Sequence, residues 1–164
     1  MMRHVISAAS SIDVSTLAAR LAKGGRLVTD PSRAVCEGYG YQTLYEVPVA
    51  LQKRLRIELI QRHAAILGEG SDLACDHSVF AWLADWMRWL WSATPSEEWE
   101  AVLSIAQPAV ERSEVIHHVV RGPAAGYDGY RWLDARNAAQ VEPLMRSLYR
   151  EFGCEDRVRT VELP

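Results

Sequence analysis

The sequence lacks several features that would point to a particular class of protein. No stretch of about 18 apolar residues occurs, so no membrane-spanning helix is predicted. The three cysteines, Cys36, Cys75 and Cys154, form no CxxC pair, which argues against a zinc knuckle or a redox pair. A net charge of −3 supplies no overall positive field for a nucleic acid. The start of the chain does not have the layout of a signal peptide, and we expect a cytoplasmic protein without a membrane or nucleic-acid partner.

The 164 residues suit a single domain, residues 1–164, with one core. Short apolar or alternating runs predict five strands: His4–Ala9, Arg26–Asp30, Asp72–Cys75, Val115–Val120 and Arg157–Leu163. Helical patterns lie between them: Ser15–Lys23, Pro48–Leu67, Val79–Trp91, Pro95–Ala106 and Ala135–Phe152. Alternating strands and helices indicate βαβ units. The predicted fold is therefore α/β, a three-layer sandwich with a mostly parallel five-stranded sheet.

The segment after the first predicted strand, AASSIDVST, resembles a phosphate-binding loop of the form GxxxxGK[ST] in its frame. A strand precedes it, a hydroxyl pair (Ser15 and Thr16) ends it, and an amphipathic helix follows. The glycines and the lysine of that loop are replaced by Ala8, Asp13 and Val14. An alternative interpretation is that the hydroxyl pair simply caps the helix.

These replacements act against phosphate binding. Asp13 places a negative charge beside the phosphate position, and two unit charges 4 Å apart repel by roughly 4 kcal/mol at an effective dielectric of about 20. Val14 removes the cation that contacts the β and γ phosphates. The helix dipole contributes only about 0.3–1 kcal/mol in return. The sequence thus predicts a phosphate-loop frame without the usual chemistry.

Three further segments occur in a recognisable order: DPSR from Asp30, CDHSVFAWLADW from Cys75, and YDGYRWLD from Tyr127. Together with the loop they resemble the P-loop kinase-like family that includes ribosylnicotinamide kinases and, more remotely, thymidylate and deoxynucleoside kinases. The resemblance runs over most of the chain, from His4 to Gly153, and implies a P-loop NTPase-like fold.

The resemblance also implies roles for individual residues. Asp76 matches an aspartate that acts as a metal-water ligand or general base, and Arg33 matches a substrate-side arginine. Arg131 matches an arginine of the region that covers the nucleotide. ATP and Mg²⁺ are the implied cofactors, with Ser15 and Asp76 as metal ligands. The implied nucleotide-binding positions are Ala8, Ser10, Ser11, Asp13, Val14, Ser15, Thr16 and Arg121, and either Arg121 or Arg131 would replace the missing lysine.

Aromatic and histidine side chains offer further candidates. Three tryptophans, Trp82, Trp86 and Trp89, share one helix face, which predicts either a buried core face or an aromatic surface for a base or a protein partner. Adjacent histidines in a strand, His117 and His118, point to opposite faces and are expected to pack rather than to bind one metal. His63 lies near the apolar stripe of its helix and is expected to be structural.

Two functions remain open on the sequence alone. In the first, the chain is a kinase-like binding or assembly module without ATP-dependent phosphoryl transfer. In the second, it is an active nucleoside or nucleotide kinase with a non-standard phosphate-donor site. The expected partner is a nucleoside- or nucleotide-like small molecule, or a protein at the tryptophan-rich helix, and a homodimer is also open.

Overall fold

A computed structural model describes residues 2–43, 46–70, 72–126 and 135–164 of the chain. Its strands are β1 (Arg3–Ser7), β2 (Arg26–Val28), β3 (Leu73–Cys75), β4 (Val115–Arg121) and β5 (Val158–Glu162). Its helices are α1 (Ser15–Leu21), α2 (Ser32–Gly38), α3 (Val49–Leu67), α4 (Val79–Trp89), α5 (Ser96–Arg112) and α6 (Ala135–Glu151). The predicted order of strands and helices is confirmed.

The five strands form one parallel sheet in the order β2-β3-β1-β4-β5. The central strand is β1, which pairs with β3 on one side and β4 on the other. Right-handed crossovers explain the layers, because a crossover that runs toward β2 places its helix on the face opposite to crossovers that run toward β5. Accordingly α1 packs with Ile6 and Val119 on one face, whereas α2 to α6 contribute to the larger core on the other face. The predicted three-layer α/β sandwich is confirmed.

Two helices differ from the sequence prediction. The sequence analysis predicts no helix between Asp30 and Pro48, but Asp30 Oδ1 accepts the N–H of Ser32 at 2.8 Å and so starts α2 there. Helix α5 continues to Arg112 instead of ending at Ala106. Its interior Pro108 lacks an N–H group, yet burial of the following residues Ala109 and Val110 keeps the last turns packed.

Candidate functional site

Residues 8–14 form the crossover between β1 and α1, as the sequence predicts. Because β1 is the central strand, this segment lies at the carboxyl edge of the sheet, where open α/β sheets bind ligands. The hydroxyl of Ser7 at the end of β1 is 2.7 Å from that of Ser78 at the start of α4. The loop of residues 8–14 therefore lies beside the residues that follow β3.

The backbone of this crossover is hydrogen-bonded to the segment that follows β4. The N–H of Asp13 donates to the carbonyl oxygen of Pro123 at 2.9 Å, and Ile12 forms an antiparallel bridge with Ala124. Gly122 lies so close that a Cβ atom there would be 2.9 Å from Cγ2 of Ile12. These contacts use backbone groups that an open phosphate loop would present to a ligand.

The carboxylate of Asp13 lies at the start of α1. Its Oδ1 accepts the N–H of Ser15, the first residue of the helix, at 2.9 Å. Val14 packs in the apolar cluster under α1 together with Ile12. Residues 8–16 contain no lysine or arginine. A phosphate group therefore does not fit this segment, because a negative side chain already binds there and the segment has no cation.

The other residues predicted to bind a nucleotide lie on the same segment. Ala8, Ser10 and Ser11 are half-buried, whereas Ser15 and Thr16 are exposed on the first turn of α1. Within the described part of the chain, no hydrogen bond joins Ser15 to Asp76. A Mg²⁺ site shared by these two side chains stays a prediction.

A surface cleft of about 560 Å³ adjoins the crossover on the side of β4, β5 and α6. Ile12 lines it together with three charged side chains, Glu142, Arg146 and Glu162. Arg146 is paired with Glu142. Because the acids outnumber the one base, this cleft also lacks the positive charge that a polyphosphate requires.

Acidic side chains follow both β2 and β3. The N–H of Asp76 donates to the carbonyl oxygen of Val28 at 3.1 Å, so the residues after the two strands are neighbours. The Asp76 side chain is 21% exposed, and its Oδ1 is 2.9 Å from Nδ1 of His77. Asp30, two residues after β2, is bound to the start of α2. Asp76 thus retains limited contact with solvent at the position predicted for a base or metal ligand.

A charged group that the sequence analysis missed lies behind these acids. Arg56 of α3 is 1% exposed, and its Nη1 donates to Oε1 of Gln52 at 3.1 Å. Burial raises the pKa of Asp85 on α4 from 3.8 to about 6, while Arg56 lowers it, Asp30 raises it and Arg88 lowers it. A partly buried acid with a shifted pKa, such as Asp85, is a candidate functional residue. Asp85 and the three charged side chains that act on it, Asp30, Arg56 and Arg88, are defined here as the acceptor-side cluster.

Aromatic rings cover the end of β3. The rings of His63 and His77 have centroids 4.7 Å apart, and Trp82 lies 4.9 Å from His77. Burial, with His77 nearby, keeps the pKa of His63 well below its ordinary value of 6.5. Burial, followed by the charge of Asp76, raises the pKa of the Cys75 thiol to about 12. His63, Cys75 and His77 are close enough together for their side chains to hold a metal ion.

The three predicted arginines have different outcomes. Arg33 is exposed on the first turn of α2. Arg121 is exposed at the end of β4, beside Glu162 of β5 in the sheet register. Arg131 and the whole YDGYRWLD segment lie outside the described residues. The proposal that Arg121 or Arg131 replaces the missing lysine therefore stays untested.

The tryptophans of α4 are largely core residues. Trp82 is 5% exposed and Trp86 is fully buried, with its Nε1 donating to the hydroxyl of Thr94 at 3.0 Å. Trp89 packs against the same core from a half-buried position. Beyond the helix, Trp91 is 51% exposed and meets Trp99 edge to face at 5.5 Å. The shared tryptophan face of α4 therefore packs inward and does not form an open surface.

Histidines 117 and 118 point to opposite sides of the sheet, as predicted. Nδ1 of His4 and Nε2 of His117 are 2.9 Å apart on the α1 side. His118 is fully buried against α6, where its two ring nitrogens contact Tyr149 and Glu142. Both histidines have packing roles, and they do not share a site.

A comparison of the chain with protein-family models, with curated proteins and with solved structures found no match. None of the described helices combines the length and the apolar composition needed to cross a bilayer. A function for this chain therefore has to be inferred from the fold and from the geometry of the residues at the carboxyl edge of the sheet.

Proposed function

We propose that the chain is a P-loop kinase-like domain that binds a nucleoside-like small molecule at the acceptor-side cluster and does not transfer phosphoryl groups from ATP. The observation that carries this proposal is the hydrogen bond from the Ser15 N–H to the Asp13 carboxylate. An internal carboxylate at the start of α1 takes the role that an incoming phosphate would have.

The electrostatic energies at the start of α1 favour the absence of ATP binding over weak ATP binding. A phosphate near Asp13 meets a repulsion of roughly 4 kcal/mol at 4 Å and an effective dielectric of about 20. The dipole of α1 offsets only about 0.3–1 kcal/mol of that repulsion. The hydrogen bond from Asp13 to Pro123 would also have to break before the loop could open. The repulsion and the hydrogen bond of the loop both act against a polyphosphate, and residues 8–16 supply no cation to oppose them.

The acceptor-side cluster supplies the groups that a polar ligand needs. Nε of Arg56 is buried without a hydrogen-bond partner in the described part of the chain, so a ligand hydroxyl or carboxylate could accept from it. Asp85 is partly exposed and can accept from a ligand hydroxyl. These are the interactions that the sugar hydroxyls of a nucleoside would use.

The donor side is tested by isothermal titration calorimetry with ATP and Mg²⁺. The wild-type chain should give no binding heat at millimolar ATP. The double variant Asp13→Gly/Val14→Lys should gain ATP binding, because it removes the carboxylate and restores the cation. The control Glu155→Gln/Gln61→Lys makes the same change of +2 in net charge at exposed positions and should gain nothing. Micromolar ATP binding by the wild type would refute the proposal.

The acceptor side is tested with nucleosides in a thermal shift assay. A ligand at 100 times its Kd stabilises the folded chain by about 2.7 kcal/mol, which a melting curve resolves. We expect Arg56→Met to abolish the shift and Glu155→Gln to leave it unchanged. A shift that is equal in Arg56→Met and wild type would place the ligand elsewhere.

An active phosphotransferase is the second candidate, and the position of Asp76 favours it. Its carboxylate lies at the end of a strand beside β1 and remains partly exposed, as a general base would. In that case the wild type should phosphorylate a nucleoside, Asp76→Asn should abolish the activity, and the exposed-site control Asp156→Asn should retain it. If the wild type binds nucleoside but does not phosphorylate it, the chain is a binding module and not a phosphotransferase.

A further inference from the structure

Two buried histidines of this chain have opposite hydrogen-bonding states. His118 is fully buried, and both its ring nitrogens have partners, the Tyr149 hydroxyl at 2.8 Å and Glu142 Oε1 at 3.0 Å. His63 is equally buried, yet neither Nδ1 nor Nε2 has a hydrogen-bond partner among the described residues. Buried polar atoms without partners are uncommon and costly, and a bound ion is one of the standard explanations.

A second histidine and a thiol complete the group around His63. His63 comes from α3, Cys75 is the last residue of β3, and His77 follows two residues later. One ligand atom from each lies within 4.8 Å of the others, and all three residues are buried. Around a single zinc ion, with Zn–N of about 2.0–2.1 Å and Zn–S of about 2.3 Å, such atoms would be about 3.3 to 3.8 Å apart. The ligand atoms therefore need to approach one another by at most about 1.5 Å.

The orientation of His77 fits a metal ligand. Its Nδ1 is 2.9 Å from Asp76 Oδ1, so Nε2 is the ring nitrogen that can bind a metal. That Nε2 is buried and has no hydrogen-bond partner in the described part of the chain. A carboxylate on one imidazole nitrogen commonly fixes the tautomer in which the other nitrogen binds a metal.

We propose that His63, Cys75 and His77 bind a thiophilic d¹⁰ cation, Zn²⁺ or Cu⁺. One thiolate and two imidazoles are ligands that suit these ions, whereas Mg²⁺ and Ca²⁺ require oxygen ligands. On binding, the Cys75 Sγ–H bond breaks, the sulfur bonds to the metal and the proton passes to solvent. With Zn²⁺, the ion and the thiolate together carry a charge of +1, which the Asp76 carboxylate balances. With Cu⁺, the ion and the thiolate together are neutral.

The bound ion would stabilise the fold, and it would exchange slowly with ions in solution. It joins the last turns of α3 to the end of β3, under the ring of Trp82, which lies 5.5 Å from that of His63. Because all three ligands are buried, the ion must enter when this region opens or while the chain folds. The inference does not depend on the proposed function, since nucleoside binding could occur with or without a structural ion.

The test begins with the full chain, unfolded and refolded under reducing conditions without metal, with Zn²⁺, or with Cu⁺ stabilised by a weak chelator. We expect one tightly held ion per chain after desalting. The chain with the bound ion should have a higher melting temperature than the metal-free chain. Comparison of the Zn²⁺ and Cu⁺ samples identifies the ion. Refolding with Co²⁺ should give the intense near-ultraviolet thiolate-to-cobalt absorption. Absence of bound ion in both the Zn²⁺ and Cu⁺ arms would overturn the proposal.

Matched variants show whether these side chains hold the ion. Cys75→Ala should lose the bound ion and the cobalt–thiolate absorption, whereas Cys36→Ala and Cys154→Ala, which truncate the other two buried cysteines, should keep both. Asp76→Asn should weaken affinity by about 10- to 100-fold, as a residue that orients His77. His63→Gln provides a second ligand variant if Cys75→Ala does not refold. Equal uptake by wild type and by either ligand variant would show adventitious binding and overturn the assignment.

Discussion

Replacement of Asp85 by asparagine should make the chain more stable at neutral pH and leave its stability little changed at acid pH. Burial raises the pKa of Asp85 from 3.8 to about 6 in the folded chain, although Arg56 opposes that shift. Below pH 3.8 the carboxyl is protonated in both the folded and the unfolded chain, so no difference arises. Between pH 3.8 and 6 only the unfolded chain releases the proton, and the folded chain loses stability as the pH rises.

The size of this effect follows from the two pKa values. A change from 3.8 to about 6 corresponds to about 3 kcal/mol, fully developed above pH 6. The neutral amide of Asp85→Asn does not titrate, so the free energy of unfolding of this variant should rise relative to wild type by about 2.4 kcal/mol between pH 4 and 7, the rest of the change falling below pH 4.

Urea denaturation at half-unit steps of pH measures this difference, and comparison across pH removes the constant effects of the substitution. The exposed-site variant Asp156→Asn serves as the control and should show no comparable trend. A difference between Asp85→Asn and wild type that does not change from pH 4 to 7 would refute the reasoning, because it would mean that Asp85 titrates alike in both states.

Two further predictions concern stability. Burial, then the neighbouring charges of His4, Arg159 and Arg20, lowers the pKa of His117 to about 4, so the folded chain should lose up to about 3 kcal/mol as the pH falls from 6.5 to 4. Urea denaturation of His117→Gln should show a stability gain over wild type that grows with acidity, and a constant difference would contradict the assignment. Gly25→Ala should destabilise the chain by about 1–3 kcal/mol in thermal melts, because its Cβ would lie 2.6 Å from the Asp72 carbonyl oxygen. Gly38→Ala, whose Cβ would meet nothing within 4 Å, is its control, and equal melting temperatures would refute the predicted clash.

Much of the fold could be predicted because its signals are local. Short β-branched runs that alternate with amphipathic stretches specify βαβ units, and right-handed crossovers limit how they assemble. Helix α3 was predicted to within one residue of its start, since Pro48 and Gly68 mark its two ends. Helix α2 was missed because its start depends on the Asp30 side chain, which bonds the backbone two residues later. The order of the strands was not predicted, because strand pairing is a long-range property.

The candidate site was predicted less completely than the fold. The substitutions at Asp13 and Val14 were visible in the sequence, but the hydrogen bond that the Asp13 N–H donates to the Pro123 carbonyl oxygen depends on the position of residues that follow β4. Arg56 and Asp85 were missed because each lies within a helix whose periodicity accounts for it as a surface or core residue. The only local sign of a metal site was the Cys75-x-His77 spacing, and the third candidate ligand comes from another helix.

The central claim is that the start of α1 is already occupied by an internal carboxylate. Amide ¹H–¹⁵N NMR of the wild-type chain during titration with ATP and Mg²⁺ tests it directly. We predict that the amide signals of residues 12–16 keep their positions up to millimolar nucleotide, since the Asp13 and Ser15 N–H groups remain bonded to the chain's own oxygens. Saturable shifts of these amides at micromolar ATP would contradict the account.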